Sequence, residues 1–252
     1  MTDRIDHRYL GALRFVDRVT GGAVSGMISL DAPGVSVFRN RSGLYVIAAA
    51  PRFEKYVAAF DNPKPPANSP RPITFTCSDP SGRYLPRMIT VQLPRDPDPT
   101  KRDNPASLFQ PVTVKLYPSP RAEVGVNWSL IRVSLTRTTN KRPIRGALLR
   151  VVRDSDQAVL GSGFTDDDGE ALVAIAGIPV TDFAVGGPGG AATGPVVVTQ
   201  VPATLEMSVN PAAGWPCNCE EVEQQHPGFV KATEPVTLRT GKSERVAVSI
   251  TV

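Results

Sequence analysis

From Leu130 to Thr136 the chain alternates, with Ile131, Val133 and Leu135 falling on one face and Arg132, Ser134 and Thr136 on the other. A period of two is the pattern of a half-buried strand. A polar turn, Thr138-Thr139-Asn140-Lys141, separates this run from a second one, Ala147 to Val152. Then Phe164-Thr165-Asp166-Asp167-Asp168-Gly169-Glu170 introduces Ala171-Leu172-Val173-Ala174-Ile175, in which Ala171, Val173 and Ile175 share a face. Asp168-Gly169 supplies residue types that tolerate positive φ, so the runs on either side are predicted to fold back as a hairpin.

The same order occurs earlier in the chain. Leu13 to Asp17 runs into Val19-Thr20-Gly21-Gly22, Ala23 to Leu30 follows, and Asn40-Arg41-Ser42-Gly43 introduces Leu44-Tyr45-Val46-Ile47-Ala48. The first copy closes with Ile73 to Cys77, the turn Ser78 to Gly82, and Met88 to Leu93; the second closes with Val236 to Leu238, Thr240-Gly241-Lys242, and Val246 to Val252. Repetition over so long a period predicts an all-β protein of two tandem β-sandwich domains, not a short-repeat solenoid. The expected division is an N-terminal sandwich over residues 1–94 with a short polar arm at 1–8, a Pro-rich linker at 95–106, and a second sandwich over 107–252 with long loop insertions. Pro118-Ser119-Pro120 interrupts the run from Leu108 to Tyr117, which places that strand at a sheet edge.

One segment fits two periods. Phe53, Tyr56, Val57 and Phe60 share a helical face, whereas Tyr56, Ala58 and Phe60 fit a strand; Pro51 and Pro63 bound either element, and the all-β context favours strand. Trp128, beside the alternating run, is expected in the core, while Trp215, between Gly214 and Pro216, fits either a core or a contact residue.

The order of strand, polar turn, strand, Thr-Asp-x-x-Gly turn and apolar strand resembles carboxypeptidase-regulatory or transthyretin-like β-sandwich domains, with Thr165 to Gly169 as the matching turn and Asn40 to Gly43 in its place in the first copy. Arg41-Ser42-Gly43-Leu44-Tyr45, Asp79-Pro80-Ser81-Gly82-Arg83-Tyr84-Leu85-Pro86 and Leu116-Tyr117-Pro118-Ser119-Pro120 are similar in style to small two-domain proteins that accompany phage-tail-like contractile injection particles. This second resemblance implies a structural part of a particle, with other protein subunits as partners.

Composition adds constraints. The 252 residues, 41% hydrophobic, are enough for a core in each domain, and the 25 prolines gather at 63–72 and 94–120, as loops and a linker would have it. Net charge is +4, unevenly placed: residues 1–95 hold 13 Lys and Arg against 7 Asp and Glu, giving +6, and residues 96–252 hold 15 against 17, giving −2. A basic face on the first domain could meet an acidic protein surface or nucleic acid. With no helix-turn-helix, RNA-binding aromatic signature or Lys/Arg block, the charge reads first as a solvated Arg-rich surface, with nucleic acid a minor reading. Arg39, Arg41 and Arg52, with the arm and Trp215, are the partner-binding candidates. No signal-peptide core and no run of 18 apolar residues occur, so a soluble, cytoplasmic protein assembled into a particle is expected.

Catalytic groups are scarce. His7 and His226 are the only histidines, and the chain has no Gly-x-Ser-x-Gly elbow and no phosphate-cradling loop, so no enzyme is expected. Asp154, Asp156 and Asp166 to Glu170 lack the alternate-position spacing of a calcium loop and read as a solvated turn. Cys217-Asn218-Cys219 with His226, and with Cys77 as a fourth ligand, are residue types that bind zinc, although Cys-x-Cys lacks the usual spacer of a zinc knuckle. A disulfide within the pair or to Cys77, and plain thiols, are the other readings; otherwise no cofactor is expected. The competing functional class is a carbohydrate-binding module built on Trp215 and the aromatic residues Phe53 to Phe60.

Overall fold

Two alternating runs, β1 (Gly11–Asp17) and β8 (Ser129–Arg137), each become the central strand of a sheet. The computed structural model describes residues 8–58, 69–178, 181–182, 197–198 and 200–252. It is all-β, with two immunoglobulin-like sandwiches in two compact units: the described residues up to Ser81 with Pro86–Leu116, and Gly82–Leu85 with Tyr117–Val252.

In the first unit one sheet has the order β3-β4-β1-β7 and the other β2-β5-β6, where β2 is Ser29–Asp31, β3 Ser36–Arg39, β4 Tyr45–Ala49, β5 Arg71–Ser78, β6 Arg87–Leu93 and β7 Val112–Leu116. Leu13, Phe15, Ile47, Phe75, Ile89, Val91, Val114 and Leu116 fill its interior. Phe15 meets the Tyr45 ring edge-on at 5.1 Å, and the Tyr45 hydroxyl accepts the Ile28 N–H at 2.6 Å. The second unit pairs a sheet of order β11-β8-β16 with one of order β10-β9-β14-β15. Here β9 is Leu148–Arg153, β10 Val159–Phe164, β11 Glu170–Ile175, β14 Val201–Val209, β15 Val230–Leu238 and β16 Ser243–Ile250; two-residue strands β12 (Thr181–Asp182) and β13 (Val197–Val198) form a separate ladder. Its core joins Ile131, Val133 and Leu135 to Leu149, Val151, Leu205, Met207, Val236 and Leu238.

Corresponding turns are bonded alike in the two units. After β1, Asp17 donates its N–H to the Gly22 carbonyl and Gly21 donates to Asp17; after β8, Arg137 donates to Arg142 and Lys141 to Arg137, with Gly21 and Lys141 at φ of 71° and 56°. Val24 donates to Phe15 as Ile144 does to Leu135. The Asn40 side-chain oxygen accepts the N–H groups of Ser42 and Leu44, and the Asp166 carboxylate accepts those of Asp168 and Glu170. First and last strands pair in parallel in both units, β1 with β7 and β8 with β16.

The third strand breaks the correspondence. β3 pairs with β4, but β10 pairs with β9, so β10 and β11 lie in different sheets and the expected Asp168-Gly169 hairpin is instead a corner between sheets. Two glycines in β10 explain the close crossing: a Cβ on Gly161 would sit 2.9 Å from the Ile175 side chain, and one on Gly163 2.9 Å from the Leu172 carbonyl oxygen.

Four further expectations change. The segment after Pro51, where strand was favoured, forms helix α1 (Glu54–Ala58): Arg52 turns at φ 71° and donates its N–H to the Glu54 carboxylate, and Phe53 and Tyr56, three apart, are both buried. The second domain was expected to start at 107, but β7 is an edge strand of the first unit, beside β1. The stretch 95–106 folds onto that unit, with Arg95 donating to Leu10, Asp96 to Ala106, and Asp98 capping a 3-10 turn at Pro99–Lys101. Trp128 is half-buried against Gly125, just before β8 begins. Residues 1–7 of the arm at 1–8, residues 59–68 and most of the Gly-rich stretch 177–194 lie outside the described residues.

Gly169→Ala is expected to destabilise the protein by about 2 kcal/mol or more, because an added Cβ would lie 2.5 Å from the Leu135 carbonyl oxygen at φ 71°. Gly43→Ala, at φ 79° but with only the Arg39 guanidinium 3.6 Å away, should lose about 1 kcal/mol. Urea unfolding of both variants provides the check, and equal losses would disprove the close-approach argument.

Candidate functional site

Outward-facing residues of β9 and β10 carry a second, smaller apolar cluster. Leu148 and Phe164 are register partners on the side opposite Leu149. Over them pack Leu85, Tyr117, Cys217, Cys219 and Val222, with Trp215 and Phe229 at the margin. The segment that supplies the thiols ends in helix α2 (Cys219–Gln225), which the polar composition of 215–228 concealed. Cys219 and Val222, three apart, are its buried residues, and Glu220 and Glu221 stand in its first turn, where negative charge suits the helix dipole.

Polar contacts fasten this cover. The Tyr117 ring stands edge-on to Phe164 at 4.8 Å while its hydroxyl donates to the Glu223 carboxylate at 2.6 Å. On the same outward face, Arg150 donates to His226 Nε2 at 2.9 Å and lies 3.8 Å from the Glu206 carboxylate. A guanidinium has no lone pair to offer, so His226 is the acceptor and its proton sits on Nδ1. Desolvation, then the positive charges of Arg150 and Lys231, holds the His226 pKa below its ordinary value. Gly146, at φ 68°, passes under the Trp215 ring.

The sequence candidates separate. Cys77 lies in β5, in the core of the first unit, and burial pushes its thiol pKa up to about 12, which leaves it protonated and unreactive. Cys217 and Cys219 are buried in the second unit, and none of the three is disulfide-bonded. His226 Nε2, the nitrogen lone pair that would ligate a metal, is engaged by Arg150. Among the described residues no three His, Cys, Asp or Glu side chains converge on a point that could hold a metal. Trp215 is half-buried on the smaller cluster, between its two expected roles.

Arg39, Arg41 and Arg52 are exposed on the first unit. Arg39 donates to the Ser25 carbonyl at 2.9 Å and lies 5.7 Å above the Tyr45 ring, and Arg41 follows in the β3–β4 turn. Arg52 lies beyond the other end of β4, roughly 20 Å away at ~3.3 Å per residue. The three are therefore not one patch. Among the described residues no helix is long and apolar enough to cross a membrane.

No protein-family model matches the chain, and no curated protein matches its sequence. Among solved structures it is similar to the Bacillus anthracis TIE protein, with 8% identity and a TM-score of 0.29 over 96% of this chain and 34% of that one. It is also similar to GBS52, the minor pilin of Streptococcus agalactiae, at 8% identity and a TM-score of 0.27 over 95% and 94% of the two chains. For BcpA, the major pilin subunit of Bacillus cereus, the values are 9% and 0.23, over 95% and 54%. The chain thus spans about a third of the TIE protein and about half of BcpA. At such identities and scores these likenesses carry no function over to this chain.

Full-length protein purified without added metal is expected to hold far less than one zinc per chain and to keep its melting temperature in chelator. Stoichiometric zinc that Cys219→Ser releases would reinstate the metal site. The His226 contact makes a separate, pH-dependent prediction. A folded-state pKa held below the unfolded value near 6.5 adds stability above that pH, and the contribution is lost as pH falls. The melting-temperature advantage of the native protein over His226→Gln should therefore shrink between pH 7 and pH 5. An advantage that is constant or that grows on acidification would show that Arg150 does not hold a neutral imidazole.

Proposed function

We propose that the chain is a non-enzymatic structural subunit or adaptor of a multi-protein assembly. The observation that carries this reading is the use of the reactive side chains at the candidate site. His226, Arg150, Tyr117 and Glu223 are bonded to one another or to the sheet in fastening α2, and both cysteines are buried in the apolar cluster beneath it. The finer reading, a component of a contractile, phage-tail-like particle, is supported by the motif style of Arg41–Tyr45, Asp79–Pro86 and Leu116–Pro120. The carbohydrate-module alternative is weakened by its own residues: Phe53 and Tyr56 are 2% and 0% exposed, so neither offers a ring face to a sugar.

Attachment is proposed to run through the basic surface of the first unit, with Arg39 and Arg41 as one contact, Arg52 as another, and the arm at 1–8, which precedes the same unit in sequence, as a third. Affinity purification of tagged full-length chain from its host should recover tail tube, sheath or baseplate proteins, with yield falling as salt rises because exposed charge pairs are screened within about 10 Å. The double variant Arg39→Glu and Arg41→Glu should stay folded and lose most of that recovery, and Arg52→Glu should act independently. A chain recovered alone at every salt concentration would overturn the assembly reading.

A further inference from the structure

The outer face of the β11-β8-β16 sheet is an open surface on the second unit, crossed by a groove of about 590 Å³. Arg121, Arg132 and Arg245 line it, with Ser134, Ala247 and Glu170. Register places two of these cations side by side, since β16 runs parallel to β8 with Arg245 next to Arg132. Like charges in neighbouring strand positions repel. The floor between them and Glu170 is built from small side chains, with Ser134 beside Ala247 on one flank and opposite Glu170 on the other.

Other arginines of the same unit have been given carboxylates. Arg145 lies 3.5 Å from Asp167, Arg150 3.8 Å from Glu206, and Arg153 3.0 Å from Asp156. Among the described residues, Arg121, Arg132 and Arg245 form no ion pair. Arg132 is nevertheless held in place: it is half-buried, and its Nη1 donates to the Pro120 carbonyl oxygen. Arg121, the next residue after that carbonyl, is exposed at the groove wall. A pinned guanidinium beside two unpaired ones presents forked donors whose geometry matches carboxylates.

We propose that this groove binds an acidic, extended segment of a partner protein, with carboxylates on Arg121, Arg132 and Arg245. The proposal rests on the assembly reading and gives it a second attachment point, on the second unit, whereas Arg39, Arg41 and Arg52 belong to the first. Two features favour a peptide over a nucleic acid. Among the described residues no aromatic ring lines the groove for a base to stack on, and Glu170 within it repels a uniform polyanion while accepting a backbone or side-chain N–H from a mixed-charge peptide.

The test uses full-length protein and a fluorescein-labelled ten-residue peptide of alternating Glu and Ser, followed by anisotropy in 50 mM salt. Saturable binding is expected, weakened about tenfold by Arg245→Glu and by a rise to 0.3 M salt, and unchanged by Arg71→Glu on the exposed end of β5. Arg132→Gln, which keeps a donor near the Pro120 carbonyl, should also weaken it. No binding, or binding that Arg245→Glu leaves intact, overturns the groove proposal, while recovery of assembly proteins from the host would still support the wider reading. Tighter binding of an unlabelled twelve-nucleotide single-stranded DNA to the same arginines overturns the choice of partner. Self-association abolished by Arg245→Glu, with no peptide binding, overturns it in favour of a second copy of the chain.

Discussion

Parallel pairing between the first and last strands closes both units. Leu13 to Asp17 lie beside Val112 to Leu116, and Leu130 to Arg137 beside Ser243 to Ile250. Strands that pair in parallel cannot be joined by a tight turn, so the chain between them must leave the sheet, cross to the other layer and return. In the first unit that route passes through β2, β5 and β6; in the second it passes through β9, β10, β14 and β15. The central position of β1 and β8 follows, because each has the returning strand on one side and β4 or β11 on the other. Residues of β7 and β16 such as Val114, Leu116 and Ile250 are buried as a result, which ties the last strand of each unit to the core of its first.

Most of this was legible because alternation survives in sequence. Ile131, Val133 and Leu135, and Ala171, Val173 and Ile175, are the inward residues that their period assigned them. Turn bonding was legible too, since Asn40 and Asp166 are residue types whose side chains accept from the backbone just ahead of them. Which sheet a strand joins was not legible at Gly169. A turn with the same local bonds leads to a hairpin after β3 and a corner after β10, and the difference lies in Gly161 and Gly163, whose missing Cβ atoms matter only against β11. Helix α1 was obscured for a related reason, because the eleven residues between Pro51 and Pro63 fit either period until burial of Phe53 and Tyr56 chooses one.

Site residues were harder to read because their partners are remote in sequence. Tyr117 and Glu223 are joined by one hydrogen bond across 106 positions, and Arg150 reaches His226 across 76. A Cys-x-Cys near a histidine therefore looked like a ligand set, although the imidazole nitrogen was already occupied and Cys77 belonged to the core of the other unit. The arginines of the open sheet face had a weak signal, since Arg132 stands on the polar side of the strand pattern. Its neighbour Arg245 could be assigned only once the parallel register of β16 was known.

Asn40 and Asp166 serve as natural replacements for each other in the two copies, and this separates the shape of the turn from its charge. Both turns use a single side-chain oxygen as acceptor from two backbone N–H groups, and an aspartate provides that oxygen as well as an asparagine does. An aspartate at position 40 would consequently add a negative charge beside Arg39 and Arg41 without removing the bonds that shape the turn. The charge of this surface turn can therefore change while the bonds that hold its shape stay in place.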